Sequence, residues 1–251
     1  MNDAFGTAHR AHASTAGVTR FIPERAAGFL MMRELDALRA VTENPARPSI
    51  AILGGAKVSD KIGVIRNLLN KVDTILIGGA MAYTFLKAAN VPIGKSRVEE
   101  DKLDLARDLV GEAETHNVQF RLPIDHIVAL APEHAETART VTEIPFEMMG
   151  LDIGPATVDD FIARLASAKT VIWNGPLGFF EHEAFANGTM RVGEALANLS
   201  GAKTIIGGGD TAAAVGHQPW SSRFTHISTG GGATLEYLEG KELPGVKALE
   251  V

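Results

Sequence analysis

Short runs rich in β-branched and apolar residues recur along the chain, each followed within two residues by glycine or asparagine. Five such runs cover residues 49–53, 74–77, 170–173, 203–206 and 225–228. Between them lie segments with apolar residues three and four apart, at 58–72, 99–116, 158–168 and 188–199. The runs are typical of buried strands and the longer segments of amphipathic helices. This alternation predicts an α/β fold with a doubly wound, mostly parallel, Rossmann-like sheet and helices on both faces.

The turns after these runs indicate where a ligand binds. They are Gly54-Gly55, Gly78-Gly79, Asn174-Gly175, Gly207-Gly208-Gly209 and Gly230-Gly231-Gly232. In a parallel sheet all of them fall at the carboxyl ends of the strands, where open α/β sheets bind ligands. We therefore expect five separate segments to meet in one crevice.

The two ends of the chain lack the alternation of strands and helices predicted for the middle. Residues 1–19 show little apolar periodicity, whereas Pro23 is expected to open a long helix that ends before Pro45. Its predicted apolar stripe consists of Phe29, Leu30, Met32, Leu35, Leu38 and Val41. The tail after Tyr237 contains Gly240, Pro244 and Gly245, so we expect it to be irregular.

Composition narrows the function classes. The formal net charge of −6 argues against a general nucleic-acid or anionic-membrane binder, since such proteins carry a basic excess. The absence of cysteine excludes disulfides, thiolate catalysis and cysteine-type zinc sites. No apolar run approaches the roughly 18 residues of a membrane-spanning helix, so a cytoplasmic protein is expected. Its 26 glycines, about a tenth of the chain, are an excess over average usage and fall largely at the predicted turns.

Three side chains near the glycine turns are candidates for phosphate chemistry. Lys57 and Lys61 are four residues apart, so both ammonium groups lie on one face of a helix start. Such a pair beside free backbone N–H groups suits phosphate oxygens, but the same spacing is common on solvated surfaces. Asp210 follows the glycines at 207–209 and is either a Mg²⁺ ligand or a helix N-cap.

Other motifs are weaker. Gly94-Lys95-Ser96 fails the Walker A pattern because residue 89 is alanine. Gly207-x-Gly209-x-x-Ala212 fits a relaxed dinucleotide fingerprint, but no acidic residue lies about 20 residues further on. A nicotinamide-dependent oxidoreductase therefore stays a weak alternative. The histidines match no metal-binding motif, and Trp173 is expected in the core or the pocket wall.

Four stretches, taken together and in this order, resemble the phosphoglycerate kinase family. They are Leu53-Gly54-Gly55-Ala56-Lys57-Val58-Ser59-Asp60-Lys61, Trp173-Asn174-Gly175-Pro176-Leu177-Gly178, Gly207-Gly208-Gly209-Asp210 and Ser228-Thr229-Gly230-Gly231-Gly232-Ala233. Residues 2–12 add a further signature. The resemblance covers nearly the whole chain and implies reversible phosphoryl transfer between ATP and 3-phosphoglycerate in glycolysis. It also implies two similar lobes, an N-terminal one for 3-phosphoglycerate and a C-terminal one for the Mg-nucleotide.

The resemblance also implies roles for individual residues. Lys57 would be catalytic and meet the transferring phosphoryl group, and Asp210 would be the metal ligand. Arg10 would be a catalytic and substrate-binding residue with His9 beside it. The implied nucleotide-binding residues are Gly55, Lys57, Lys61, Gly79, Leu122, Asn174, Pro176, Glu181, Gly208, Gly209, Asp210, Thr211, Gly231 and Gly232. Two positions depart from the family: Ala80 replaces a frequent glycine and Arg97 a usual leucine.

The resemblance divides the chain into four expected parts. Residues 1–22 would be a remnant of the N-terminal substrate lobe, 23–45 an interdomain connector helix, 46–236 the nucleotide-binding domain and 237–251 a tail returning toward the first lobe. Because most of that lobe is not in the sequence, we expect Mg²⁺ with ATP or ADP to bind, but little turnover unless a partner supplies the lobe. The alternative is a non-catalytic nucleotide-binding module or subunit.

Further expectations concern partners and surface. No nucleic acid or membrane partner is expected, and the family is usually monomeric. Without the first lobe, Phe21, Ile22, Leu243, Val246 and Leu249 should be exposed. The N-terminus and the tail should then be mobile, and the chain should self-associate.

Overall fold

The computed structural model describes residues 1–250, and within them the strands form two sheets. In chain order the strands are β1 (Ser49–Leu53), β2 (Thr74–Ile77), β3 (Gln119–Arg121), β4 (His126–Ala129), β5 (Arg139–Val141), β6 (Met149–Ile153), β7 (Thr170–Asn174), β8 (Lys203–Gly207) and β9 (His226–Ile227). The α-helices are α1 (Phe29–Thr42), α2 (Ile62–Leu68), α3 (Met81–Ala88), α4 (Leu103–Thr115), α5 (Pro155–Leu165), α6 (Asn187–Ala197), α7 (Gly209–Val215), α8 (Gly232–Leu238) and α9 (Pro244–Lys247). In residues 1–250 no helix combines the length and apolar character needed to cross a bilayer.

The larger sheet is fully parallel, with the strand order β3-β2-β1-β7-β8-β9. The chain builds outward from β1 to β3, then returns to β7 and builds outward the other way. The switch point of the topology therefore lies between β1 and β7, where such sheets form a ligand crevice. The doubly wound α/β fold predicted from the sequence is confirmed.

Side chains that alternate along the strands fill two cores on opposite faces of this sheet. One face packs Ala51, Leu53 and neighbouring strand residues against α1, α2, α3, α4 and α8. The other packs Ile52 and Trp173 against α5, α6 and α7. Trp173 is fully buried there, which assigns it to the core. Because both faces are covered, the free edge at the carboxyl ends of the strands remains available for a ligand.

The second sheet has three antiparallel strands in the order β5-β4-β6 and was not among the predicted elements. It carries a small apolar cluster of its own, which includes Tyr83 of α3 and Val128 of β4. Its short strands, and the exposed positions in β5, leave little apolar signal in the sequence. Its strand β6 reaches the carboxyl edge of the large sheet, so this sheet supplies one wall of the site described below.

Helix α1 begins at Phe29 and not at Pro23. The six preceding residues are held by the N-terminus: Asn2 donates its N–H to the Ala26 carbonyl at 2.9 Å, and Gly28 donates to the Asn2 carbonyl at 2.8 Å. Asp3 then accepts a hydrogen bond from the Met31 N–H at 2.8 Å. These contacts come from distant sequence, so the local pattern places the helix start too early.

The predicted stripe of α1 and the predicted exposure of the tail are each partly wrong. Met31 is buried, whereas Phe29, Leu30 and Met32 are exposed at the start of the helix. In the tail, Leu243 is only 3% exposed and joins the first core. Helix α9 follows it, and Gly245 donates its N–H to the Ala8 carbonyl at 2.8 Å. The tail therefore packs on the N-terminal segment of the same chain.

Candidate functional site

Two adjoining cavities lie at the carboxyl edge of the parallel sheet, beside the switch point. The larger, of about 510 Å³, is lined by the turns after β1, β7, β8 and β9. The smaller, of about 300 Å³, is lined by the turns after β1, β2 and β7 and by β6. Gly55, Ala56 and Asp210 border both cavities. All five turns noted in the sequence thus contribute to one continuous cleft.

The turns after β1 and β7 cross in direct contact beneath this cleft. A Cβ on Gly54 would lie 2.1 Å from the Pro176 carbonyl oxygen, and one on Gly175 would lie 2.2 Å from the Gly54 carbonyl oxygen. Gly175 also has a φ of 104°, which favours glycine. These glycines are required because two backbones meet there, and they bring the ends of β1 and β7 together.

Positively charged and amide groups meet in the larger cavity. Lys57 and Lys61 both line it, with Lys57 exposed and Lys61 half-buried. The Lys61 ammonium donates a hydrogen bond to Oδ1 of Asn174. Burial lowers the pKa of Lys61, and nearby carboxylates, led by Asp60, oppose that shift. The alternative of a fully solvated pair of lysines is therefore wrong for Lys61.

Asn174 is oriented by this lysine. Because an ammonium group can only donate, Oδ1 faces Lys61 and Nδ2 faces the other way. Nδ2 is buried and has no hydrogen-bond partner among residues 1–250. An unpaired buried N–H group costs about 1–3 kcal/mol, so an acceptor that reached Nδ2 would recover that free energy.

Asp210 lies in the first turn of α7 and borders both cavities. Gly208 is the N-cap residue of that helix, and no side chain caps it, so the N-cap alternative for Asp210 is wrong. The neighbouring Thr211 is buried, and its hydroxyl accepts a hydrogen bond from the Gly175 N–H at 2.6 Å. Asp210 is therefore free to face a ligand, while Thr211 ties the turn after β8 to the turn after β7.

The turns after β8 and β9 present backbone groups to the larger cavity. Gly208 has a φ of 89° and Gly231 a φ of 51°, and each precedes the start of a helix. Gly209 and Gly232 follow them and also line the cavity. The first N–H groups of a helix have no partner within it, so they are available to an anionic ligand.

The smaller cavity is mainly apolar. Its apolar lining residues are Ala56, Ala80, Pro132, Met149, Leu151, Pro176, Phe179 and Phe180. Gly79, with a φ of 65°, also lines it, and a Cβ there would lie 2.5 Å from the Gly55 backbone nitrogen. Arg97 and Glu181 bring opposite charges into this lining. Such a lining suits a flat apolar group carrying a few polar atoms.

Most of the residues that the resemblance implies for nucleotide binding line one of the two cavities. Leu122 lies elsewhere and packs between the first core and the cluster of the small sheet. His9 contacts Gly232, because a Cβ on that glycine would lie 3.1 Å from Nε2 of His9. Nδ1 of His9 is buried without a partner in residues 1–250. Arg10 is exposed beside it and lines neither cavity.

Two buried carboxylates support the site, and the sequence reasoning did not single them out. Asp152 of β6 accepts hydrogen bonds from the N–H groups of Ile153 and Gly188 at 2.8 and 2.7 Å. Glu34 of α1 accepts hydrogen bonds from the Thr229 N–H at 2.8 Å and from the Thr229 hydroxyl. Its other oxygen lies 2.8 Å from Nε2 of His226. Neither residue stands in a recognisable motif, and only the fold brings each to its partners.

The donor set does not form a metal site by itself. Within residues 1–250 no three His, Asp or Glu side chains are grouped to hold a metal ion. Mg²⁺ that arrives with phosphates takes only one or two protein carboxylates and keeps several waters. Asp60, Asp210 and Glu239 all line the larger cavity, and Asp210, which also borders the smaller one, fits that mode of binding.

Comparisons with known proteins agree with this architecture. A model of the family described as phosphoglycerate kinase matches residues 1–241. The chain is 56% identical to phosphoglycerate kinase of Koribacter versatilis and 58% identical to that of Clostridium botulinum, with 99% of this chain covered in each case. The matches span 62% and 63% of those relatives.

A solved structure shows the same family likeness and the same partial coverage. The structure of phosphoglycerate kinase from Coxiella burnetii is 44% identical, with a TM-score of 0.93 over 98% of this chain. The match covers 64% of that protein. The chain thus spans somewhat less than two thirds of the relatives that it matches, and the rest of their length has no counterpart in these 251 residues.

Proposed function

Because the chain belongs to the phosphoglycerate kinase family, we propose that it binds a Mg²⁺–adenine nucleotide across the two cavities. In this role it supplies the nucleotide side of reversible phosphoryl transfer between ATP and 3-phosphoglycerate, a reaction of glycolysis in the cytoplasm. The phosphates occupy the larger cavity and the adenosine the smaller one. The proposal treats residues 46–236 as the nucleotide-binding domain.

One observation carries the phosphate assignment: the larger cavity combines two lysines with the unpaired amide of Asn174. Lys57 and Lys61 line it, and Nδ2 of Asn174 is buried without a partner in residues 1–250. Ammonium groups that line an open cavity, with an unpaired amide donor buried beside them, favour an anion with several oxygens. A nucleoside diphosphate or triphosphate offers such oxygens to both lysines.

The smaller cavity supports the adenosine assignment. Its apolar walls suit a base, and Glu181 supplies a carboxylate that can accept hydrogen bonds from ribose hydroxyls. Asp210 borders both cavities, so it lies where a Mg²⁺ ion bound to the phosphates would need a ligand. When bound, that ion would neutralise charge on the phosphate oxygens.

Phosphoryl transfer depends mainly on positioning and on stabilising charge, and the chain's own residues supply both for the nucleotide. Lys61 holds the nucleotide phosphates while hydrogen-bonded to Asn174. Lys57, at the open rim, stabilises the phosphoryl group that moves. The backbone N–H groups after Gly208 and Gly231 orient the remaining oxygens.

The acceptor side of the reaction is less complete. His9 lies next to Gly232, and Arg10 follows it in the sequence; we propose that both meet 3-phosphoglycerate or the transferring group. Because the matched relatives extend well beyond this chain, we expect the isolated 251 residues to turn over little substrate. A coupled activity assay with and without a separately expressed N-terminal lobe of a relative tests this; near-family turnover from the chain alone would contradict it.

Titration calorimetry with Mg-ADP tests the nucleotide proposal directly. Binding should be detectable below millimolar concentration, and NAD should bind more weakly, which separates a kinase site from the nicotinamide alternative. Absence of heat with Mg-ADP up to millimolar concentration would overturn the proposal.

Asp210→Ala tests the metal role in the same assay. The variant should weaken Mg-ADP binding about tenfold or more and metal-free ADP much less, because the carboxylate acts through the ion. Equal weakening of both ligands would show that Asp210 does not bind the metal.

A further inference from the structure

Asp152 lies directly behind the smaller cavity without lining it. Its side chain is almost fully buried, and one oxygen accepts a hydrogen bond from the Gly188 N–H in the first turn of α6. The other oxygen accepts from the Ile153 N–H. A carboxylate with no cation beside it is costly to bury, so a structural role at this position has to offset that cost.

The wall of the smaller cavity rests on this carboxylate. Gly178 lines the cavity, and a Cβ there would lie 2.2 Å from Oδ1 of Asp152. The next residue, Phe179, donates its N–H to the Leu151 carbonyl at 2.7 Å. Leu151 directly precedes Asp152 in β6 and also lines the cavity. The segment 178–181 is therefore fixed to β6 at the point where Asp152 stands.

We propose that Asp152 is a positioning residue for the base end of the nucleotide site. By holding the start of α6 and supporting Gly178, its carboxylate fixes the segment 178–181, which carries Phe179, Phe180 and Glu181 into the cavity wall. The inference rests on the proposed function, since it assumes that a nucleotide base occupies this cavity.

The charge of Asp152 changes near neutral pH. Burial raises its pKa to about 7, although the N–H groups of Gly188 and Ile153 act to lower it. Among the described residues, Tyr83 of α3 is the ionisable side chain whose pKa responds to the charge of Asp152. Burial first, and the charge of Asp152 second, raise the pKa of Tyr83, so the tyrosine stays neutral. The support under Gly178 therefore alternates between a carboxylate and a carboxylic acid as the pH varies.

The same chain offers a matched control in Asp125. This carboxylate is also almost fully buried and accepts hydrogen bonds at the start of a helix, from the Thr157 and Ala156 N–H groups at 2.7 and 2.9 Å. It also stands against a glycine, since a Cβ on Gly154 would lie 2.3 Å from its Cγ. Asp125 lines neither cavity of the site, so its loss should affect folding stability alone.

Calorimetry with two probes, Mg-ADP and Mg-tripolyphosphate, tests the proposal on the full chain. Asp152→Ala should raise the Kd for Mg-ADP about tenfold, which corresponds to 1.4 kcal/mol, and change the Kd for Mg-tripolyphosphate less than about twofold. Asp125→Ala should leave both dissociation constants within about twofold. Thermal unfolding should show that both variants are folded and less stable than the parent.

Asp152→Asn adds a readout that a purely structural role would not change. The ratio of its Mg-ADP Kd to that of the parent should be near one at pH 6 and larger at pH 8, where the parent carboxylate is charged. A ratio that does not vary with pH, equal effects of Asp152→Ala and Asp125→Ala, or equal loss of both probes would overturn the proposal.

If the parent binds tripolyphosphate but not ADP, the base assignment and this inference fail together. If it binds ADP normally and Asp152→Ala does so too, the inference alone fails.

Discussion

Lys57 and Lys61 line the same cavity but differ in burial and in partners. Lys61 is half-buried against Asn174, whereas Lys57 is exposed at the rim. We predict that Lys61→Met weakens Mg-ADP and Mg-ATP about equally, by roughly 10- to 100-fold, the range for a lost charge-assisted hydrogen bond. Lys57→Met should weaken Mg-ATP more than Mg-ADP, because Lys57 is assigned to the transferred phosphoryl group, which ADP lacks.

Fluorescence or calorimetric titration with both nucleotides measures this difference. Lys203→Met is a suitable control, because Lys203 is exposed at the amino end of β8, away from the cleft. Equal losses of ADP and ATP in Lys57→Met would show that the two lysines share one role.

Glu34 gives a prediction for stability. Burial would raise its pKa, but hydrogen bonds from His226, Ser228 and Thr229 together lower it to about 2. A carboxyl group whose pKa falls on folding stabilises the protein above its ordinary pKa of 4.5 and loses that contribution as the pH falls toward 2. Glu34→Gln should therefore lower the free energy of unfolding by about 1–3 kcal/mol at pH 7.

Urea unfolding at pH 7 and pH 3 tests the sign. The difference between the parent and Glu34→Gln should shrink at the lower pH, while Asp36→Asn, an exposed change on the same helix, should have little effect at either. A difference that grows on acidification would contradict the role given to Glu34.

Residues that stand in motifs are easier to find from the sequence than the residues that support them in the fold. Lys57 and Asp210 are found by their spacing from glycine turns, a local property. Asp152 and Glu34 are not, because their partners lie 36 and 195 residues away along the chain. Nothing near either residue in the sequence indicates that it will be buried.

Among the elements, the turn from β8 into α7 shows how backbone conformation limits the sequence. Gly208 has a φ of 89°, and a Cβ there would lie 3.4 Å from the Asn174 amide. Gly209 is the first residue of α7, and a Cβ there would meet no atom within 4 Å. Gly208→Ala should therefore cost about 1–3 kcal/mol of stability, whereas Gly209→Ala should be neutral or stabilise by up to about 1 kcal/mol.

Denaturant midpoints of the two variants, compared with that of the parent, test this prediction. The two changes add the same methyl group one residue apart, so a difference between them reports backbone conformation rather than side-chain size. Equal midpoints would mean that the turn relaxes around either alanine.

The elements themselves are predicted unevenly, for physical reasons. The strands β1, β2, β7 and β8 are largely apolar and buried on both faces, so they are recognised within a residue of their ends. The edge strand β3 is missed, because Gln119 and Arg121 are exposed. The predicted strand at 225–228 shortens to His226–Ile227 because β9 is an edge strand and pairs only with β8. The antiparallel sheet is missed because β4 and β5 are short and β5 is mostly exposed, although β6 forms a wall of the site.

The whole molecule carries an uncovered apolar surface near its N-terminus. The exposed side chains there are Met1, Val18, Phe21, Ile22, Phe29, Leu30 and Met32. Leu243, expected to join them, is buried in the first core, because the tail packs on Ala8. We therefore expect the Asn2, Gly28 and Gly245 amides to exchange slowly with solvent, in place of the mobility expected from the sequence for the two ends.

That N-terminal apolar surface leads to the last prediction, which concerns association. Phe21 and Phe29 are 85% and 87% exposed, and nothing in residues 1–250 covers them. Large apolar side chains left exposed in this number favour association, so the chain should self-associate as its concentration rises. The double change Phe21→Ser and Phe29→Ser should shift it toward a monomer, because it removes the largest aromatic area there.

Phe146→Ser serves as a control, since Phe146 is 86% exposed on a loop of the small sheet. Light scattering across a hundredfold dilution measures the effect. A monodisperse monomer at every concentration, or an equal effect of Phe146→Ser, would show that this surface does not drive association.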